Sequence, residues 1–204
     1  DFNIFNYEKI FLIDSVDFPD LSNNYMIIHI GSSEQFPLKS LSIDNWGKLI
    51  NGIIENYSFD IIFIGGVIEE KIINNIISGI NKSKEKVKNL AGKTSIKQLI
   101  KLIIQSEIVI SSDSGPGQIA GILGKKQIML FGPTSHMLGS PINANCIKIM
   151  KGYECSPCYG SENYYNCPYN NKCMDDISID TILKSISLID DQGFDSVKTN
   201  DDFV

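Results

Sequence analysis

The stretch Glu107–Thr134, EIVISSDSGPGQIAGILGKKQIMLFGPT, decides the fold of this chain. It opens with a short β-branched run of the kind found in buried parallel strands. A turn of small residues, Asp113–Gly117, leads into a helix that ends at Gly124. The next strand, Lys126–Phe131, closes in a Gly-Pro-Thr turn. The stretch is therefore predicted to be strand, turn, helix, strand, turn.

The turn before this helix suits a phosphate group. Asp113 or Ser114 is the predicted N-cap, and Pro116 fits the first helical turn, where a missing N–H costs nothing. Backbone N–H groups stay free at a helix N-terminus, and the positive end of the helix dipole points outward. The alternative is an ordinary strand–helix turn whose glycines serve tight packing, since a short glycine motif alone does not decide between the two.

Strands and helices alternate on both sides of this stretch. The pattern predicts further buried strands and amphipathic helices, namely strands at Tyr25–Ile30, Asp60–Ile64, Val87–Leu90 and Cys146–Met150, and helices at Leu41–Tyr57, Ile68–Ile80, Ser95–Gln105 and Ser178–Leu188. Such alternation indicates an α/β fold with a doubly wound, Rossmann-like parallel sheet. Ligands of such sheets bind beyond the carboxyl ends of the strands, where the glycine-rich turns of this chain fall.

The predicted domain plan is simple. Residues 1–24 are interpreted as a lead-in or linker, residues 25–189 as the Rossmann-like domain, and residues 190–204 as a polar tail. A cysteine-rich loop at 152–176 lies within the domain.

Composition limits the partners. The 204 residues carry a net charge of −6, with 43% hydrophobic and 21% charged residues, as expected of a globular protein. This charge argues against nucleic acid as a partner. Every basic residue except the two histidines is lysine, so an anionic ligand must be met by lysine or backbone amides. No apolar run of about 18 residues and no signal-peptide pattern is found.

Three motifs occur in an order and spacing that resemble a known family. They are His29-Ile-Gly-Ser-Ser33 followed by Lys39 and Trp46, Asn89-Leu-Ala-Gly-Lys-Thr-Ser95, and Ser112-Asp-Ser-Gly-Pro116 running to Phe131-Gly-Pro-Thr134. Together they resemble the C-terminal half of glycosyltransferase family 9, the lipopolysaccharide heptosyltransferases. The similarity covers roughly residues 25–185.

The resemblance implies a GT-B fold of two Rossmann-like domains, of which the C-terminal one holds a nucleotide-sugar donor, ADP-heptose in the best-known members. Transfer to a glycolipid acceptor of lipopolysaccharide or another surface glycan inverts the anomeric centre and requires no metal cofactor. The resemblance also implies a cytoplasmic location, peripheral at the inner face of the inner membrane. The family's catalytic base lies in the N-terminal domain, and no glycine-rich Rossmann half precedes Tyr25. We expect this chain to bind donor without completing transfer.

Carried over residue by residue, the resemblance gives Lys39 and Asp113 the catalytic roles. Lys39 would neutralise charge on the departing diphosphate, and Asp113 would orient Lys39, a sugar hydroxyl or an amide. The alternative for Lys39 is a solvated loop lysine, and the alternative for Asp113 is a plain N-cap. The donor-binding candidates are Ser32, Ser33, Ser114, Gly115, Gly117, Gln118, Glu69, Thr94 and Ser95. Glu69 would hold ribose hydroxyls, with Glu70 as the alternative residue. Thr94 and Ser95 would approach the nucleotide, with a simple helix cap as the alternative.

Gln118 marks a departure from the family pattern. Family members usually carry histidine five residues after the aspartate, and glutamine cannot become a cation near neutral pH. Donor affinity or sugar choice is expected to differ.

The cysteine-rich loop holds the series Cys155-x2-Cys158-x8-Cys167-x5-Cys173. Four thiolates suit tetrahedral structural zinc, although the second pair lacks the C-x2-C spacing. Free thiols and disulfides are the alternatives, and a cytoplasmic location disfavours disulfides.

Two rival functions remain open. A noncatalytic module could bind a nucleotide or use the cysteine-rich loop to engage a partner. Another GT-B enzyme, such as a nucleotide-sugar 2-epimerase, would need acidic and histidine residues that are not found in suitable positions.

Overall fold

A six-stranded parallel sheet forms the centre of the molecule. The computed structural model describes residues 21–31, 37–141 and 145–191, with side chains as far as Ile189. The strands are β1 (Tyr25–His29), β2 (Asp60–Ile64), β3 (Val87–Asn89), β4 (Ile108–Ser112), β5 (Gln127–Phe131) and β6 (Cys146–Met150). They lie in the order β3-β2-β1-β4-β5-β6, which is the doubly wound Rossmann order. The predicted fold class is confirmed.

Helices cover both faces of this sheet. The helices of the described residues are α1 (Ile43–Asn56), α2 (Val67–Ser78), α3 (Ile96–Gln105), α4 (Gly115–Ile122), α5 (His136–Gly139), α6 (Glu162–Tyr165), α7 (Lys172–Asp175) and α8 (Ile179–Asp191), with 3-10 turns at Pro37–Lys39 and Lys84–Lys86. Successive strand residues point to opposite faces, so β1 contributes Met26 and Ile28 to one core and Tyr25 and Ile27 to the other. This double burial explains the nearly continuous apolar strands.

The larger core lies beneath α1, α2 and α8. Trp46, the single tryptophan, is fully buried there, and its indole N–H donates to the Ser40 hydroxyl at 3.0 Å. The smaller core lies beneath α3 and α4, where Leu102, Ile103 and Ala120 are fully buried.

Local sequence signals place the helix ends. Ser42 caps α1, accepting from the Asn45 amide at 3.4 Å. Ser95 caps α3 in a reciprocal capping box with Gln98. At the start of α4 the N-cap is Ser114, not Asp113, and its side chain makes no capping hydrogen bond.

The cysteine-rich loop packs against the carboxyl end of the sheet. The Ser156 hydroxyl donates to the Gly132 carbonyl, and the backbone amides of Cys158 and Tyr159 both donate to the Pro133 carbonyl at 2.9 Å. Asp175 accepts from the Ser42 amide at 2.6 Å. These contacts tie the loop to the turn after β5 and to the segment that leads into α1.

The predicted lead-in at 1–24 and tail at 190–204 fall mostly outside the described residues, as do Ser32 and Ser33. Among the described residues no helix has the length and apolar character needed to cross a membrane.

Candidate functional site

The strand order reverses between β1 and β4, and this switch point positions the candidate site. The chain leaves β1 and turns away to β2, whereas β4 lies on the other side of β1. The connections therefore diverge and open a crevice at the carboxyl ends of these two strands. Gly31 follows β1 with a φ of +72°, and a Cβ there would lie 1.5 Å from the Ser112 hydroxyl. Only glycine lets the two turns approach so closely.

Lys39 and Asp113 meet across this crevice. Lys39 comes from the 3-10 turn after β1, and Asp113 directly follows β4. The ammonium nitrogen of Lys39 lies 3.9 Å from a carboxylate oxygen of Asp113, and both side chains are more than four-fifths buried. The structure thus brings these two predicted site residues together, and their roles in a site stay predictions.

A third side chain, Tyr159, lies against the Lys39 ammonium group. The nitrogen lies 4.2 Å from the centroid of the Tyr159 ring, within the range of a cation–π contact. Tyr159 belongs to the cysteine-rich loop, and sequence reasoning did not select it. The one signal available was the concentration of tyrosines in that loop, which does not say where a ring points.

The N-terminus of α4 faces the same crevice. The backbone amides of Gly115 and Gly117 lie in the first turn of α4, where helices leave N–H donors without intrahelical partners. Pro116, between them, has no N–H. The buried hydroxyls of Ser112 and Ser114 also lack a hydrogen-bond partner among the described residues. Buried polar groups are normally paired. The exposed turn at Gly115, at this helix N-terminus beside Lys39, is the part of the arrangement that can meet an anion.

Gln118 links Asp113 to the next turn of the chain. Its side-chain nitrogen donates to the Gly139 carbonyl at 2.6 Å and lies 3.4 Å from an Asp113 oxygen. A Cβ at Gly139 would lie 2.9 Å from the other Asp113 oxygen. Gln118 therefore holds the Asp113 carboxylate in place; its donor-binding role stays a prediction.

Glu69 is engaged within the protein. One carboxylate oxygen accepts from the Gly66 amide at 2.5 Å and the other lies 3.2 Å from Nε2 of His29. Glu69 is only 8% exposed, and both of its carboxylate oxygens are engaged by groups of the protein. The ribose assignment stays a prediction, and the geometry adds no support to it.

Thr94 and Ser95 lie at the edge of the sheet. They follow β3, which is two strands from β1 and three from β4. Ser95 serves as the cap of α3, the alternative that the sequence left open. Their approach to a nucleotide stays a prediction.

The cysteines of the loop surround one small cavity, lined with Leu38 and Pro133 among other residues. Burial and the neighbouring thiols raise the pKa of Cys173 to about 11 and also raise that of Cys158. None of the five cysteines is in a disulfide. In the described residues, no three or more His, Cys, Asp or Glu side chains form a group that could hold a metal ion. The expected zinc site at Cys155, Cys158, Cys167 and Cys173 thus receives no support.

Comparisons with known proteins agree with the motifs. The sequence model of glycosyltransferase family 9 (heptosyltransferase) matches residues 7–168. Lipooligosaccharide heptosyltransferase 2 of Campylobacter jejuni (serotype O:6) is 33% identical over 128 residues, covering 62% of this chain and 39% of that protein. Lipopolysaccharide heptosyltransferase 2 of Salmonella typhimurium is 26% identical over 140 residues, covering 67% of this chain and 40% of that protein.

Solved structures show the same fold. The ADP-heptose lipopolysaccharide heptosyltransferase II of E. coli superimposes with a TM-score of 0.70 at 20% identity, over 91% of this chain and 52% of that one. A family 9 glycosyltransferase from Veillonella parvula superimposes with a TM-score of 0.66 at 18% identity, over 83% of this chain and 47% of that one. The chain spans about two fifths of the length of the curated relatives and about half of the solved ones.

Proposed function

Because the chain belongs to glycosyltransferase family 9 (heptosyltransferase), we propose that it is the donor-binding half of a glycosyltransferase. The proposed reaction moves a heptose-like sugar, with inversion, from a nucleotide-sugar such as ADP-heptose to a lipopolysaccharide or related glycolipid acceptor. The remaining half of such an enzyme would supply the second GT-B domain. The proposed place of action is the cytoplasmic side of the inner membrane.

One observation carries the proposal. Lys39, Asp113 and the free amides at the start of α4 converge at the switch point between β1 and β4. A diphosphate needs cationic and N–H donors in a crevice, and the described residues offer both there.

Glycosyl transfer breaks the bond between the anomeric carbon and the diphosphate oxygen, and negative charge grows on that oxygen. The role proposed for Lys39 is to neutralise this charge, and preorganised groups of this kind contribute most where charge develops. Asp113 lies too close to Lys39 for both to face the diphosphate as independent charges. Its proposed role is to orient the lysine, helped by Gln118.

The first test is calorimetric titration of the chain with ADP, UDP and GDP. Saturable binding of one nucleotide is expected. Lys39→Ala removes a charge-assisted hydrogen bond, commonly worth about 1.5–3 kcal/mol, so binding should weaken about ten- to a hundredfold. Lys48→Ala is the matched control, because Lys48 is an exposed lysine in the middle of α1. Equal binding by wild type and Lys39→Ala would refute the site.

The second test uses the full-length enzyme, in which Lys39→Ala and Asp113→Ala should each slow transfer while the fold survives. Wild-type rates in both variants would contradict the assigned roles. The rival noncatalytic module predicts instead that Lys39→Ala leaves ligand binding unchanged and that deletion of 152–176 abolishes partner capture.

A further inference from the structure

We propose that Tyr159 is a positioning residue for Lys39, and that the cysteine-rich loop thereby forms part of the donor site. This inference rests on the proposed function, since it concerns how the lysine is presented to a diphosphate. Its basis is the position of the Lys39 ammonium nitrogen, 4.2 Å from the Tyr159 ring centroid and 3.9 Å from an oxygen of Asp113.

The Lys39–Asp113 distance bears on how firmly the lysine side chain is held. At 3.9 Å the two groups attract each other but do not form a short hydrogen bond. A lysine side chain has four rotatable bonds and loses considerable entropy when it is fixed. The aromatic face adds attraction without occupying an N–H of the ammonium group with an acceptor.

Tyr159 is itself held firmly. Its backbone amide donates to the Pro133 carbonyl at 2.9 Å. Its ring meets the buried ring of Tyr164 edge-on, with centroids 5.4 Å apart and planes at 75°. Burial raises the pKa of Tyr164, and a backbone hydrogen bond with Leu38 acts in the opposite direction. Tyr164 therefore lies next to Leu38, the residue that precedes Lys39.

The loop is also anchored on the segment that carries Lys39. The Asn171 side chain donates to the Ser40 carbonyl at 3.0 Å, and Asp175 accepts from the Ser42 amide at 2.6 Å. The segment that carries Lys39 and the loop that carries the Tyr159 ring are thus fixed relative to one another. The loop presents Tyr159 to Lys39 at a defined position.

The contact can be tested without ligand. Protons that lie over an aromatic face shift upfield in NMR spectra, so the Lys39 ε-methylene resonances should lie upfield of those of the exposed Lys48. Tyr159→Leu should return them to ordinary positions, whereas Tyr159→Phe keeps the ring and should preserve the shift. An ordinary Lys39 shift in the wild type would overturn the inference.

The role in binding is tested by a double-mutant cycle with ADP. Tyr159→Leu should weaken ADP binding about two- to fivefold, the range of an exposed cation–π contact, and Tyr159→Phe should restore it. In the Lys39→Ala background Tyr159→Leu should have no further effect, because the two residues act as one unit. Tyr169→Leu, which removes an exposed ring of the same loop that packs on Tyr153, is the control.

The outcomes separate the two hypotheses. If Lys39→Ala weakens ADP binding but Tyr159→Leu does not, or if the two effects simply add, the positioning role is refuted and the proposed function stands. If Lys39→Ala itself has no effect on ADP binding, the proposed function fails and the positioning role falls with it.

Discussion

Two glycines at the start of α4 should respond in opposite ways to alanine. Gly115 and Gly117 are two residues apart in the same helical turn, and neither has a positive φ. A Cβ at Gly115 meets nothing within 4 Å. A Cβ at Gly117 would lie 2.4 Å from the Ser111 hydroxyl and 2.6 Å from the Met129 methyl carbon. The pair therefore isolates the effect of close packing between α4 and the sheet.

The magnitude follows from this difference. Alanine is favoured over glycine within a helix by up to about 1 kcal/mol, and this gain applies similarly to both positions. Ser111 and Met129 are fully buried, so the inserted methyl at Gly117 overpacks the core at a cost of about 1–3 kcal/mol. Because the helix contribution largely cancels, Gly117→Ala should be less stable than Gly115→Ala by about 1–3 kcal/mol.

Thermal and urea unfolding monitored by circular dichroism measure this gap. For a domain of this size each kcal/mol shifts Tm by about 2–4 °C, so the two variants should melt at least about 2 °C apart. Gly115→Ala should melt at or above the wild-type temperature. Equal midpoints, or a more stable Gly117→Ala, would refute the claim that α4 is seated directly on Ser111 and Met129.

Two further predictions concern the thiol in β6 and the anchoring of the loop. Burial raises the pKa of Cys146 to about 12, so at pH 8 iodoacetamide should label it about a thousandfold more slowly than an unfolded thiol, as peptide mass spectrometry would show. Between about pH 9 and 12 the native thiol keeps a proton that the unfolded thiol has lost, so the free energy of unfolding falls as the pH rises through this range. Cys146→Ala should make this fall smaller, as urea unfolding at several pH values would show. Asp175→Ala leaves the Ser42 amide without its acceptor and should cost about 1–3 kcal/mol, whereas Glu55→Ala, which removes an exposed carboxylate of α1, should change stability by less than about 0.5 kcal/mol. Equal losses in these two variants would contradict the anchoring contact.

The sequence predicted the sheet well because buried parallel strands have a strong local signature. The bounds of β2 and β6 match the predicted strands to the residue. β2 is an apolar run that ends before Gly65, and β6 alternates buried isoleucines with half-buried residues. The caps Ser42 and Ser95 were also predictable, because capping depends on neighbours three residues away. The four-residue helices α5, α6 and α7 were missed, since one turn contains no measurable periodicity.

The surroundings of the site residues were less predictable, because they depend on contacts between distant parts of the chain. Glu69 follows a Gly-Gly turn, and the family resemblance suggested that its carboxylate holds ribose hydroxyls. Its partner His29 lies at the end of β1, and the two meet only because β1 and β2 are neighbours in the sheet. In the same way, no local pattern places Tyr159 over Lys39, since the cysteine-rich loop lacks periodicity.

The direction of the loop's contacts bears on what the cysteine-rich loop is for. A loop that captures a partner needs side chains that point outward and a backbone that does not depend on the domain. Here the hydrogen bonds of Ser156, Asn171 and Asp175 all run inward, to segments that border the crevice. Cys158 and Cys173 are buried with them. This inward anchoring favours a loop that builds the donor site over one that recruits a partner, and deletion of 152–176 should therefore impair ADP binding as well as stability.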